Sequence, residues 1–134
     1  MVEVDLYKII MHENKQDQII ILKEKNGSRQ LPIIIGIAEA AAIKMKVSKI
    51  EPPRPLTHDL LNTLIVQMGA RLDKVIINKL QKNTFYARLV LIKDKGKTLD
   101  IDARPSDSIA LALRANARIF VEEQVLEKLQ FLNG

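Results

Sequence analysis

The dipeptide Asn26-Gly27 sits between two aliphatic segments and, more than any other feature, limits what this chain can become. Both residues tolerate positive φ, so the pair is a strong signal for a tight hairpin. It predicts two paired strands, over 18–23 and 29–35. Pro32 lacks an amide donor, which places the second strand at a sheet edge or a bulge. Ahead of them, Val2, Val4 and Leu6 alternate with Glu3, Asp5 and Tyr7, the period of a half-buried strand over 2–11.

Gly36 ends the third strand, and an alanine-rich helix is expected to run to about residue 49. Gly36, Ala40, Ile43, Val47 and Ile50 share one of its faces, and Glu39, Lys46 and Lys49 another. Glu51-Pro52-Pro53-Arg54-Pro55 cannot continue a helix and forms a stiff connector, too short to link separate domains. Thr57 is expected to cap the next helix, with Leu60, Leu61, Leu64, Ile65 and Met68 as its buried stripe and Gly69 at its C-terminus. Strands over 72–80 and 84–93 follow. Val75-Ile76-Ile77 is apolar on both faces, which puts the first of them in the middle of the sheet. Asp94-Lys95-Gly96-Lys97 turns into a strand over 98–103, then come a helix over 106–115, the short strand Ile119-Phe120-Val121 and a last helix bearing Val125, Leu126 and Leu129. This order predicts an α+β fold: a mostly antiparallel mixed sheet with three to four helices packed against it, in a single domain over 1–134.

Composition narrows the function classes. With no Trp, three Phe and two Tyr, the core must be aliphatic. The absence of Cys removes disulfides, thiolate metal sites and cysteine nucleophiles. No apolar run approaches the roughly 20 residues of a membrane span, and Met1-Val2-Glu3-Val4-Asp5 does not read as a signal peptide, so no membrane association and a cytoplasmic location are expected. A formal charge of +5 is compatible with an anionic partner. With only His12 and His58, a histidine-rich metal centre is excluded, and no Walker loop, dinucleotide fingerprint or nucleophile elbow calls for an organic cofactor.

Three places can carry chemistry. In Arg54-Pro55-Leu56-Thr57-His58-Asp59 a rigid turn feeds a helix N-terminus, whose free amides can receive a phosphate. Arg54 adds a forked donor and His58 a proton carrier near neutral pH, while Thr57 and Asp59 serve equally well as a cap and a first-turn charge. In Asp100-Ile101-Asp102-Ala103-Arg104-Pro105-Ser106-Asp107, strand alternation sets Asp100 and Asp102 on one face, about 7 Å apart. Such oxygen clusters suit Mg²⁺ or Mn²⁺, and Asp107 in the next helical turn can join them. The plainer reading is a solvated strand with Arg104 pairing Asp102 and a Ser106 cap. Third, Glu39 sits among small alanines near a helix start, which the helix dipole favours without any special purpose.

Leu31-Pro32-Ile33-Ile34-Ile35-Gly36-Ile37-Ala38-Glu39-Ala40, Pro53-Arg54-Pro55-Leu56-Thr57-His58-Asp59-Leu60 and Asp100-Ile101-Asp102-Ala103-Arg104-Pro105-Ser106-Asp107-Ser108-Ile109-Ala110 resemble, in order and spacing, the signature blocks of the bifunctional nuclease domain family. The resemblance covers nearly the whole chain, with Ile34 standing where an aromatic is common and Ser108 where a small Ala is. It implies an α+β domain that degrades RNA and DNA, usually as a homo-oligomer, a dimer being favoured. Carried over residue by residue, it nominates Glu39, Arg54, Thr57, His58, Asp59, Asp102, Arg104, Ser106 and Asp107. Arg-Pro before two helix starts, with Asp following each, suggests two arginines converging on one anionic ligand.

In the nuclease reading, His58, Asp59, Asp102 and Asp107 act in catalysis, and Glu39, Asp102 and Asp107 are candidate ligands for a divalent cation. Arg54, Thr57, Arg104 and Ser106 hold phosphate. A metal-free variant leaves the acid–base work to His58. Two rivals use the same residues: a module that binds nucleic acid or a phosphoryl ligand without cutting it, and a structural or regulatory homo-oligomer.

Overall fold

The structure, a computed structural model, describes residues 1–12 and 14–133, the last three by backbone alone. Seven strands form one sheet in the order β3-β2-β1-β7-β4-β5-β6. The first meander is β1 (Val2–Ile10), β2 (Asp17–Glu24) and β3 (Gln30–Gly36), and the second is β4 (Ala70–Gln81), β5 (Thr84–Lys93) and β6 (Thr98–Ala103). The four-residue β7 (Arg118–Val121) joins them, antiparallel to β1 and parallel to β4. All other pairings are antiparallel. β4 is therefore central, as its doubly apolar run requires, and β3 lies at an edge with Pro32 exposed.

Two helices, α1 (Ile37–Val47) and α2 (Thr57–Gln67), pack on a third, α3 (Pro105–Ala115). α3 contacts both of the others as well as β4 and β5, and Ile109, Ala110 and Leu111 are fully buried. The fourth helix, α4 (Glu123–Asn133), packs on β4 through Val125 and Leu126. Arg29 forks onto Glu123 across 94 residues and also holds Glu24, tying the first hairpin to the start of α4.

Four sequence expectations need correcting. The Asn26-Gly27 hairpin forms, but neither residue takes positive φ. Its loop is longer, closed by Glu24 N–H donating to the Arg29 carbonyl. A Cβ on Gly27 would lie 2.0 Å from a Glu24 carboxylate oxygen, so glycine serves close approach here. The two-residue turn with both φ positive is Lys82-Asn83, between β4 and β5.

The α2 stripe is not buried. Leu60 is 54% exposed, Leu64 48% and Met68 76%, while His58 is the buried residue of that helix. The expectation assumed a helix lying over the sheet; α2 makes its main contacts with α3 and β4, and much of its apolar surface is left over. Neither Thr57 nor Ser106 caps its helix. Leu56 is the N-cap of α2, and Asp59 reaches back to its amide at 2.8 Å; Arg104 is the N-cap of α3, with Pro105 in the first turn. α1 stops at Val47, and only Ala40 and Ile43 of its five-residue face are buried.

Candidate active site

Each of the three packed helices places a polar side chain in its first turn. Glu39 stands third in α1, His58 second in α2, and Asp107 third in α3, where the helix dipole favours the carboxylates. The three N-termini border one cleft of about 760 Å³. Its apolar wall comes from Leu61 and Ile65 of α2, Leu89 and Leu91 of β5, and Ile101 of β6. At the polar end, Thr57, Asp102 and Arg104 join Glu39, His58 and Asp107.

These groups form a connected chain. His58 Nε2 lies 2.9 Å from Asp107 Oδ1, and Arg104 donates to Asp107 Oδ2 through Nε at 2.9 Å and a terminal nitrogen at 2.7 Å. The same terminal nitrogen lies 3.6 Å from Glu39 Oε1. Gly36 makes room for that carboxylate, since a Cβ there would lie 2.2 Å from Glu39 Oε2. Burial pushes the Asp107 carboxyl upward, but the bonds from His58 and Arg104 outweigh it and hold it below the usual carboxylate range. Asp107 in turn pushes the Arg104 guanidinium further up, so both stay charged at neutral pH.

Chemistry follows from the proton positions. An ionised Asp107 can only accept, so Nε2 of His58 carries the proton of their shared bond. In the neutral ring that leaves Nδ1 with a free lone pair. A histidine oriented by a carboxylate through one nitrogen, with the other available, is a built proton acceptor. Its side chain is only 10% exposed, which limits its freedom to turn.

Of the nine residues singled out in the sequence, Glu39, Thr57, His58, Asp102, Arg104 and Asp107 share the cleft. Arg54 and Asp59 line a separate depression of about 340 Å³, so the expected convergence of Arg54 with Arg104 is not found. The two Arg-Pro pairs are out of register with their helices: Arg104 abuts α3, whereas Pro55 and Leu56 intervene between Arg54 and α2. Ser106 is buried. Asp100 is taken by Arg88 at 2.9 Å, and Arg104 pairs Asp107 rather than Asp102.

Among the described residues, no three His, Asp or Glu side chains are arranged to hold a metal ion. Of the donors expected for Mg²⁺ or Mn²⁺, Glu39 and Asp107 both face Arg104, and Asp102 makes no ion pair among the described residues.

Sequence reading missed Arg114. Its side chain is 5% exposed and its Nε donates to Asp59 Oδ1 at 2.7 Å. The available signal was an arginine seven residues after Asp107, two helical turns along the same face, in an otherwise apolar run.

A family profile for the bifunctional nuclease domain matches residues 20–133. An uncharacterized protein of Mycobacterium tuberculosis strain H37Rv is 46% identical over 126 residues, 94% of this chain and 74% of its own length. Bifunctional nuclease 1 of Oryza sativa subsp. japonica is 28% identical over 127 residues, 92% of this chain and 37% of that protein. Bifunctional nuclease 2 of Arabidopsis thaliana is 27% identical over 107 residues, 78% of this chain and 32% of that protein.

Proposed function

We infer that this chain, which belongs to the bifunctional nuclease domain family, is a phosphodiester hydrolase acting on RNA and DNA. The observation that carries the reading is the His58–Asp107 pair at the polar end of a cleft. His58 Nδ1 takes a proton from the attacking water as its oxygen bonds to phosphorus, and Asp107 holds the ring and stabilises the imidazolium that forms. The P–O bond to the ester oxygen breaks, and that oxygen leaves as a hydroxyl after taking a proton from solvent. Arg104 is 67% exposed and uses Nε and one terminal nitrogen on Asp107, leaving donors for a phosphoryl oxygen as charge develops. Thr57 and the first-turn amides of α2 offer further donors beside His58.

The reaction so described runs on the chain's own side chains. A divalent cation enters as an additional proposal, with Asp102 as the ligand that has no ion pair among the described residues and Glu39 or Asp107 released from Arg104. A second copy of the chain is proposed as an oligomeric partner, supported by the apolar face that α2 leaves exposed at Leu60, Leu64 and Met68.

One feature bears on the hydrolase and the binding-module readings alike. Three carboxylates, Glu39, Asp102 and Asp107, share the cleft with the single guanidinium of Arg104, which opposes a polyanion. A cleavage time course on single-stranded RNA and DNA, comparing wild type with a folded His58→Gln variant with and without EDTA, separates the readings. Cleavage by wild type alone supports the hydrolase, and its survival in EDTA supports the metal-free route. Salt-sensitive binding without product moves the protein to the binding module.

A further inference from the structure

In the separate depression that Asp59 and Arg54 line, Arg114 distributes its three guanidinium nitrogens over three helices. Nε donates to Asp59 of α2, one terminal nitrogen to the Ala110 carbonyl of α3 at 2.9 Å, and the other to the Ala42 carbonyl of α1 at 3.2 Å. Asp59 is tied down at both oxygens, since Oδ2 also accepts the Leu56 amide. Each bond anchors a helix close to its contribution to the cleft. His58 adjoins Asp59, Glu39 lies one turn before Ala42, and Asp107 lies two turns before Arg114.

We propose that the Arg114–Asp59 pair is a positioning device that sets α1 and α2 against α3 so that His58 meets Asp107. Neither residue touches substrate in this account; both act through His58. The role rests on the hydrolase reading only where activity is measured, because the His58–Asp107 contact can be observed without any substrate.

The geometry explains why arginine occupies this place. Three acceptors on three helices lie in reach of one planar fork, whereas lysine would offer a single nitrogen on a flexible stem. No other part of α2 is buried as deeply as His58, and the apolar face of that helix is largely exposed, so apolar packing alone holds the helix loosely. A polar clamp at its first turn therefore decides where its N-terminus sits. A displacement of about 1 Å in a proton acceptor is enough to cost on the order of 10²-fold in rate.

The test is proton NMR of the His58 Nε2–H resonance, assigned by its loss in His58→Gln; the protein has only two histidines, which keeps the region simple. Arg114→Met and Asp59→Asn are compared with wild type, and Leu126→Ala in α4 serves as a variant destabilised away from the cleft. The expected result is a hydrogen-bonded resonance in wild type and Leu126→Ala that is lost or moved upfield in both clamp variants. If Arg114→Met does not fold, Asp59→Asn alone decides. An unchanged resonance in a folded clamp variant would overturn the proposal, as would its absence from wild type or equal loss in Leu126→Ala. Where wild type cleaves, the clamp variants lose about 10²-fold in kcat with KM changed less than about threefold. Wild type that fails to cleave while the resonance behaves as expected would refute the hydrolase reading and leave the clamp intact.

Discussion

Replacing Asp59 with Asn removes the one carboxylate, among the described residues, that pairs with Arg114 and leaves the shape nearly unchanged. Deleting one partner of a buried ion pair typically costs about 3–5 kcal/mol, because the remaining charge stays desolvated. Two features reduce that figure. Asp59 is 33% exposed, so solvent screens part of the attraction, and Arg114 keeps the Ala110 and Ala42 carbonyls. The Asn oxygen can also still accept the Leu56 amide. The expected loss is therefore about 2 kcal/mol at pH 7, or roughly 6–10 °C in Tm for a chain of this length.

Acid should erase the difference. Burial raises the Asp59 carboxyl, but the Leu56 amide, Arg114 and Lys46 together bring it below its ordinary value of 3.8. A folded-state value below the unfolded one gives stability that is complete above the unfolded value and lost as pH falls through the folded one. Urea unfolding at pH 7 and again near pH 3 should show the gap between wild type and Asp59→Asn closing. Arg114→Met combined with Asp59→Asn should cost less than the sum of the two single changes, because no buried charge is then left unpaired. An Asp59→Asn variant within about 0.5 kcal/mol of wild type at pH 7 would refute this account of the clamp.

Other expectations follow from the same geometry. Ile109→Ala empties a fully buried site and should cost about 2–5 kcal/mol, while Leu64→Glu on the exposed face of α2 should change monomer stability by no more than about 0.5 kcal/mol; chemical unfolding at low protein concentration compares them. Sedimentation should show that Leu64→Glu weakens self-association, and an unaltered oligomer would remove α2 from the interface. Asp107→Asn should flatten the acid limb of the stability curve, because that carboxyl is also held low in the folded state; thermal melts between pH 2 and pH 6 read this directly. Gly36→Ala should move the Glu39 carboxylate away from Arg104 without disturbing the helix start, whose φ of −75° suits alanine; a crystal structure of the variant checks both points.

Where the sequence was informative, it was so for physical reasons that can be traced. Val75-Ile76-Ile77 could be apolar on both faces only in an interior strand, and Pro32 could sit only where no amide was required. Asp107 and Glu39 were visible because acids gather in first turns, and six of the nine candidates do meet in one cleft. What stayed hidden depended on how far elements overlap. Leu60, Leu64 and Met68 have the spacing of a buried stripe, yet periodicity does not say whether the tertiary structure provides a surface to cover them. Nor could spacing place Asp59 and Arg54 in a depression separate from His58, because adjacent helical residues point about 100° apart and the neighbouring helices decide which cavity each enters. Arg114 escaped notice because a charge inside an apolar run is legible only once its partner, 55 residues away, is known.

The central claim is that His58 and Asp107 work as one unit. The measurement that tests it most directly is the kcat/KM for phosphodiester cleavage of wild type, His58→Gln, Asp107→Asn and the double variant, each shown to be folded. The account predicts that each single change lowers the constant by about 10²- to 10⁴-fold and that the double variant is scarcely worse than the poorer single one. Multiplicative losses, or single variants as active as wild type, would contradict it.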